Sequence, residues 1–143
     1  MPEPTITALI IEDDKTQWPI YEGLLTPLGV SFHYASECDA GLKMAQEFDY
    51  AMIFMDLGLD RCACEASVSS LADGIACYER LARATSVPII VASVFVGTWL
   101  GVGVFRKMQP FSVLEKPLKA REVEAVVAAV LAARGTRGVH THG

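Results

Sequence analysis

Tyr50-Ala51-Met52-Ile53-Phe54-Met55-Asp56 is the stretch whose reading decides the fold. The apolar run between Tyr50 and Asp56 is too short for a membrane span and has the length of a strand buried on both faces of a parallel sheet. A carboxylate ends it. Alone, such an acid would merely stop a strand where it meets water. Its meaning depends on what the other strands carry at the same end.

Upstream, Thr5-Ile6-Thr7-Ala8-Leu9-Ile10-Ile11 is β-branched and apolar and breaks into Glu12-Asp13-Asp14, a first buried strand with three acids at its carboxyl end. Asp14 suits a helix cap. Lys15 to Leu28 has helical spacing through Trp18, Tyr21, Leu24, Leu25 and Leu28, with Pro19 tolerable near the first turn and Gly29 as the stop. Val30 to Ala35 reads as a second strand, and Ser36 with Asp39 opens a helix that runs to about Phe48.

Downstream, Leu57 to Ala72 has no periodicity and is long for a loop in a compact α/β unit. Asp73-Gly74 then leads into a helix with Ile75, Tyr78, Leu81 and Ala82 on one face. Val87 to Ser93 is a fourth strand, with Pro88 at its start. Val94 to Met108 is apolar almost all round and contains Gly97, Gly101 and Gly103. It is either a face for a partner or a helix covered by the rest of the fold. Phe111 to Lys116 makes a short fifth strand before Pro117. A helix from about Lys119 to Arg134 follows, with Val123, Val126, Val127, Val130 and Leu131 on one stripe, and Gly135 to Gly143 reads as a flexible tail.

With 143 residues, 52% hydrophobic and 20% charged, and a net charge of -5, the chain fits one acidic globular domain. Its 12 Lys and Arg are scattered, which argues against direct nucleic-acid binding and against an anionic-membrane patch. Met1-Pro2-Glu3-Pro4 has no signal-peptide character, so a cytoplasmic location is expected. On that basis Cys38, Cys62, Cys64 and Cys77 are expected as reduced thiols, and Cys62-Ala63-Cys64 lacks flanking ligands at zinc spacing. His33, His140 and His142 are assigned no metal role.

Strand and helix alternate five times, which predicts an open parallel sheet with helices on both faces. Ligands of such sheets bind at the carboxyl ends of the strands. Glu12, Asp13, Asp56, Ser93 and Lys116 all fall there, and a strand order of 2-1-3-4-5 brings Asp13 beside Asp56. Converging carboxylates call for a hard divalent ion, and Mg2+ with a phosphoryl group fits oxygen donors of this kind. Asp56 could itself be the nucleophile, with Lys116 as counter-charge to the phosphoryl group and the Ser93 hydroxyl as donor.

Leu9-Ile10-Ile11-Glu12-Asp13-Asp14, Met55-Asp56-Leu57-Gly58-Leu59, Asp73-Gly74, Val87-Pro88-Ile89-Ile90-Val91-Ala92-Ser93 and Lys116-Pro117 together resemble the receiver domains of response regulators, the CheY-like family. The resemblance runs from Thr5 to about Arg134. It implies a flavodoxin-like, doubly wound (βα)5 fold over residues 1–134. It further implies that Asp56 takes a phosphoryl group from a histidine kinase or a histidine phosphotransfer protein. Mg2+ would be held by Asp13 and Asp56, by Glu12 through water and by the Gly58 carbonyl. Ser93 would be the switch hydroxyl and Lys116 the conserved-type lysine. With no output domain in the sequence, the expected role is a single-domain regulator of a two-component or phosphorelay system. It would not be an enzyme beyond assisting its own phosphoryl transfer and dephosphorylation.

The chain departs from that pattern in four places. Asp60 replaces a proline, and extra residues (Asp60–Ala72, with Cys62 and Cys64) precede Asp73-Gly74, as a lid, a partner contact or an inert loop. Val94 stands where a very small residue is usual, and Val113 where an aromatic switch residue is usual. The Val94–Met108 segment lacks a polar surface, which admits a downstream partner or a homodimer there. The alternative reading is a pseudo-receiver that binds a partner or dimerises without phosphorylation. A phosphatase of the haloacid-dehalogenase type is disfavoured, because Gly58 stands where its second acid is required.

Overall fold

The computed structural model describes residues 6–57, 68–94 and 106–142. Strands β1 (Ile6–Ile11), β2 (Val30–Ala35), β3 (Met52–Asp56), β4 (Ile89–Ser93) and β5 (Ser112–Glu115) form one sheet in the order β2-β1-β3-β4-β5, and every pairing is parallel. This is the predicted order. Every residue of β3 and β4 is buried, which explains why both strands read as continuous apolar runs and not as alternating ones.

Side-chain alternation along the strands divides the core into two clusters. Ala8, Ile10, Met52, Phe54 and Ile90 face Tyr21 and Leu25 of helix α1 (Trp18–Leu25) and Val123, Val126, Val127 and Val130 of helix α4 (Ala120–His142). Leu9, Ile11, Ile53, Met55, Ile89 and Val91 face Ala45 of α2 (Cys38–Glu47) and Cys77, Tyr78 and Leu81 of α3 (Val68–Ala84). Helices therefore cover both faces. At roughly 1.5–3 kcal/mol for each large side chain fully withdrawn from water, these two clusters supply the main stabilisation of the fold.

The local signals near α1 hold. The Asp14 side chain accepts from the Thr16 amide at 3.0 Å, a short 3-10 turn over Lys15–Gln17 precedes the helix, and Pro19 sits in its first turn. A second 3-10 turn, Thr26–Leu28, ends at Gly29 with φ 74°, in the left-handed region that glycine enters without strain. At α2 the cap position is Glu37, in extended backbone, with no side-chain cap hydrogen bond; Asp39 lies in the first turn, and Ser36 is not the cap.

Three expectations are corrected. Helix α3 begins at Val68 and not at Asp73-Gly74, so the end of the aperiodic segment is helical. Glycine is a poor helix former and mimicked a start. Its presence answers a different need: a Cβ at Gly74 would overlap the Leu57 carbonyl oxygen, so α3 packs directly on the backbone that follows Asp56. Cys38 and Cys77 are joined as a disulfide with 5.9 Å between Cα atoms, because α2 and α3 lie side by side on one face of the sheet. The backbone of α4 stays helical to His142 where a tail from Gly135 was expected; helix propagation fixes one residue per bond, and no proline intervenes. The readings of Gly58, Asp60 to Ser67 and Phe95 to Phe105 lie outside the described residues. No helix among the described residues is long and apolar enough to cross a membrane.

Gly74→Ala is expected to cost about 1–3 kcal/mol of stability, because the Leu57 backbone cannot yield as a flexible side chain would. Urea unfolding of the variant against the parent chain measures it; an unchanged midpoint would show that α3 does not lie on Leu57.

Candidate functional site

Among the described residues the buried polar or charged side chains are Glu12, Asp56 and Ser93. All three stand at carboxyl ends of strands. Glu12 follows β1 directly, and its amide donates to the Ala35 carbonyl at 2.9 Å, which ties it to the end of β2. Asp56 ends β3, where it is register partner to Ala92, and Ser93 is one residue further along β4. The sheet order that brings β1 beside β3 places Asp13 and Glu12 next to Asp56. Carboxylate oxygens of Glu12, Asp13 and Asp56 lie within 4.8 Å of one another.

Lys116 approaches from the β5 side. Its Nζ donates to Glu12 Oε2 at 2.7 Å and lies 3.5 Å from Asp56 Oδ2. Its backbone amide donates to the Ser93 carbonyl at 3.0 Å, and the Lys116-Pro117 peptide bond is cis. The side chain thus reaches across β4 and β3 to β1. Lys116, expected as counter-charge to a phosphoryl group, makes its shorter contact with Glu12.

The electrostatics follow from burial. Withdrawal from water, helped by the facing Asp56 charge, raises Glu12 to about 7, while the Lys116 ammonium and the Asp14 amide at 3.3 Å pull the other way. Burial also raises Asp56, against the opposing pull of Lys116 and a hydrogen bond with Glu12; Asp13 adds to the rise. Asp14, outside this cluster, is lowered by its hydrogen bonds from Thr16.

One atom tests whether a cation fits. Asp13 Oδ1 is buried and has no hydrogen-bond partner, a costly state for a carboxylate oxygen unless something else satisfies it. Three carboxylates against a single ammonium leave negative charge in excess, and every donor is a hard oxygen. That donor set suits Mg2+ and not a soft metal.

Sequence reasoning missed two supports of this site. The Trp18 indole N–H donates to the Glu12 carbonyl at 3.1 Å, and its ring stacks on Tyr34 with 4.4 Å between centroids, while the Tyr34 hydroxyl donates back to the Trp18 carbonyl. From its spacing alone, Trp18 reads only as part of an apolar helix face. The second is Gly74, whose contact with Leu57 no local pattern announces. His33 behaves as a packing residue: its Nδ1 lies 2.8 Å from the Tyr50 hydroxyl, and its ring meets Phe48 and Tyr50 edge-on. Val94 is 44% exposed just beyond Ser93, and Val113 is half-buried in β5.

No protein-family model and no curated protein matches the sequence. Solved structures do match. A CheY-like response regulator receiver domain protein from Methanospirillum hungatei JF-1 is similar with a TM-score of 0.75 and 13% identity, over 94% of this chain and 99% of that one. A two-component response regulator from Clostridium difficile gives 0.72 at 22% identity, over 90% and 97%. The signal receiver domain of a modulated diguanylate cyclase from Desulfovibrio desulfuricans G20 gives 0.73 at 18% identity, over 94% and 99%. The fold is that of the CheY-like receiver domains, five-stranded with the flavodoxin-like strand order.

The raised carboxyls make the metal-free chain less stable as pH rises. Below the unfolded-state value of 4.5, Glu12 is protonated in both states; above it, the folded chain keeps a proton that the unfolded chain has lost, and this advantage disappears as pH passes about 7. Asp56 acts in the same sense. Urea unfolding in a chelator is expected to show stability falling by on the order of 2 kcal/mol between about pH 5 and pH 7.5, with Glu12→Gln flattening the slope. A slope unchanged by that variant would contradict the assignment.

Proposed function

We propose that the chain is a single-domain response regulator that accepts a phosphoryl group on Asp56 with Mg2+ and passes the change to a partner protein. The observation that carries this reading is the meeting of Glu12, Asp13 and Asp56 within 4.8 Å, with the Lys116 ammonium 2.7 Å from Glu12 and 3.5 Å from Asp56. Oxygen donors and an ammonium gathered at the carboxyl edge of a parallel sheet support binding of a cation and a phosphoryl group. The structural likeness to a CheY-like receiver and to a two-component response regulator agrees with it.

In this reading the donor is a phosphohistidine of a histidine kinase or of a histidine phosphotransfer protein. An Asp56 carboxylate oxygen attacks phosphorus, the phosphorus–nitrogen bond breaks, and the imidazole leaves with its electron pair. Asp13 and Asp56, with Glu12 through water, would hold Mg2+, which when bound neutralises charge on the attacking and transferring oxygens. Lys116 exchanges its contact with Glu12 for the new phosphoryl oxygens, and the Ser93 hydroxyl donates to them. Water attack on the acyl phosphate later resets Asp56. A cytoplasmic location belongs to the same proposal, since histidine-to-aspartate transfer needs an intracellular donor.

Val94 and Val113 point to an output that differs from aromatic switching. The exposed Val94 next to Ser93 is also the observation that favours the second reading, a partner-binding module that keeps the fold without phosphorylation.

Incubation with acetyl phosphate and Mg2+ is expected to add one phosphoryl group by intact-mass spectrometry. Chelator or Asp56→Asn should abolish the addition, and Lys116→Ala should slow it by about tenfold or more. Labelling that persists in Asp56→Asn would refute the phosphoacceptor assignment. No labelling of a folded parent chain would favour the interaction module.

A further inference from the structure

The Cys38–Cys77 disulfide joins two elements that each reach the phosphoryl site from its own side. Cys38 opens α2 and comes three residues after Ala35, whose carbonyl accepts the Glu12 amide. Cys77 lies one helical turn after Gly74, the residue pressed against the Leu57 carbonyl beside Asp56. A covalent tie between them fixes the Gly74 turn of α3 relative to the end of β2, and so constrains the backbone on both flanks of the carboxylate cluster.

The surroundings of the two sulfurs are unequal. Cys38 is half-buried at a helix start, and Arg80 Nη1 lies 3.9 Å from its Sγ; the same guanidinium is shared with Asp39 through Nη2 at 3.0 Å. A helix N-terminus and a cation are the groups that favour a thiolate, and Cys38 is the sulfur that a small reagent can reach. Cys77 is buried against the Tyr78 and Leu81 cluster and is accessible chiefly to Cys38. One reachable and one sheltered cysteine is the arrangement of an attacking thiol and a resolving thiol. In a reducing compartment such a pair is of the transient, sensing kind and not a permanent staple.

We propose that Cys38 and Cys77 form a reversible dithiol/disulfide switch that, when oxidised, clamps α2 to α3 beside Asp56. The oxidant is a low-molecular-weight disulfide. The Cys38 thiolate attacks one of its sulfurs, forming a mixed disulfide and releasing one small thiolate. Cys77 then gives up its proton, and its thiolate attacks Cys38 Sγ, expelling the second small thiol. Two electrons pass from the cysteine pair to the reagent; an excess of small thiol reverses both steps. The effect on phosphoryl transfer rests on the phosphoacceptor reading of Asp56, whereas the thiol chemistry and the clamp do not.

The test uses the full chain with Cys62→Ser and Cys64→Ser, leaving only this pair among the four cysteines. The protein is equilibrated in buffers running from reduced to oxidised glutathione, alkylated and weighed. Two modifiable thiols are expected at the reduced end and none at the oxidised end, with the same curve approached from either side. Backbone hydrogen exchange over Ile75 to Leu81 is expected to be about tenfold slower in the oxidised form. Both forms share one sequence, so no defect introduced by a substitution produces the difference, and circular dichroism confirms that the reduced form is folded; Cys77→Ala should abolish the difference. Thiols that remain modifiable in oxidised glutathione, or equal exchange in both forms, would overturn the switch. Labelling with acetyl phosphate in the two forms then separates the readings. A rate that changes supports the coupling, and equal rates overturn it. Absence of label in both forms counts against the phosphoacceptor reading, while thiol counting and exchange still decide the switch.

Discussion

Two buried carboxylates, with a third beside them, cannot sit at the end of a dry sheet unless a cation answers them, and Lys116 is the protein's own answer. Its ammonium spans from Glu12 after β1 to Asp56 at the end of β3, so strands joined by backbone hydrogen bonds are joined again by charge at their carboxyl ends. One ammonium does not balance three acids. The remaining imbalance appears as raised carboxyls at Glu12 and Asp56 and as an unsatisfied Asp13 oxygen, a donor set of the kind that a further cation would satisfy.

Much of this was legible before any coordinates. Strands buried on both faces must be apolar throughout, so β3 and β4 declared themselves, and the polar residue that ended each run had to lie at the ligand-binding edge. Asp56, Ser93, Glu12 and Lys116 were found by position more than by type. What stayed hidden were contacts between segments distant in the chain. Nothing local distinguishes a glycine that starts a helix from Gly74, which lies within one because a backbone runs against it. Nothing in the spacing of four cysteines tells which two will face each other once α2 and α3 share a face of the sheet. Trp18 looked like core because its ring is apolar, and its indole N–H contact with Glu12 depends on where the turn after β1 goes.

The backbone contact of Lys116 with Ser93 sets where β5 ends and thus where a long, flexible side chain begins. A lysine whose root is held by the sheet can change partners at its tip without disturbing the strands.

The two apolar clusters share no side chain; the sheet stands between them as a partition. Its central strands are filled on both faces by close-packed residues that have no room to move independently. A change of charge at Asp56 therefore has a poor route through the wall to the opposite end of the molecule. Among the described residues, those nearest to such a change lie along the rim where the strands stop.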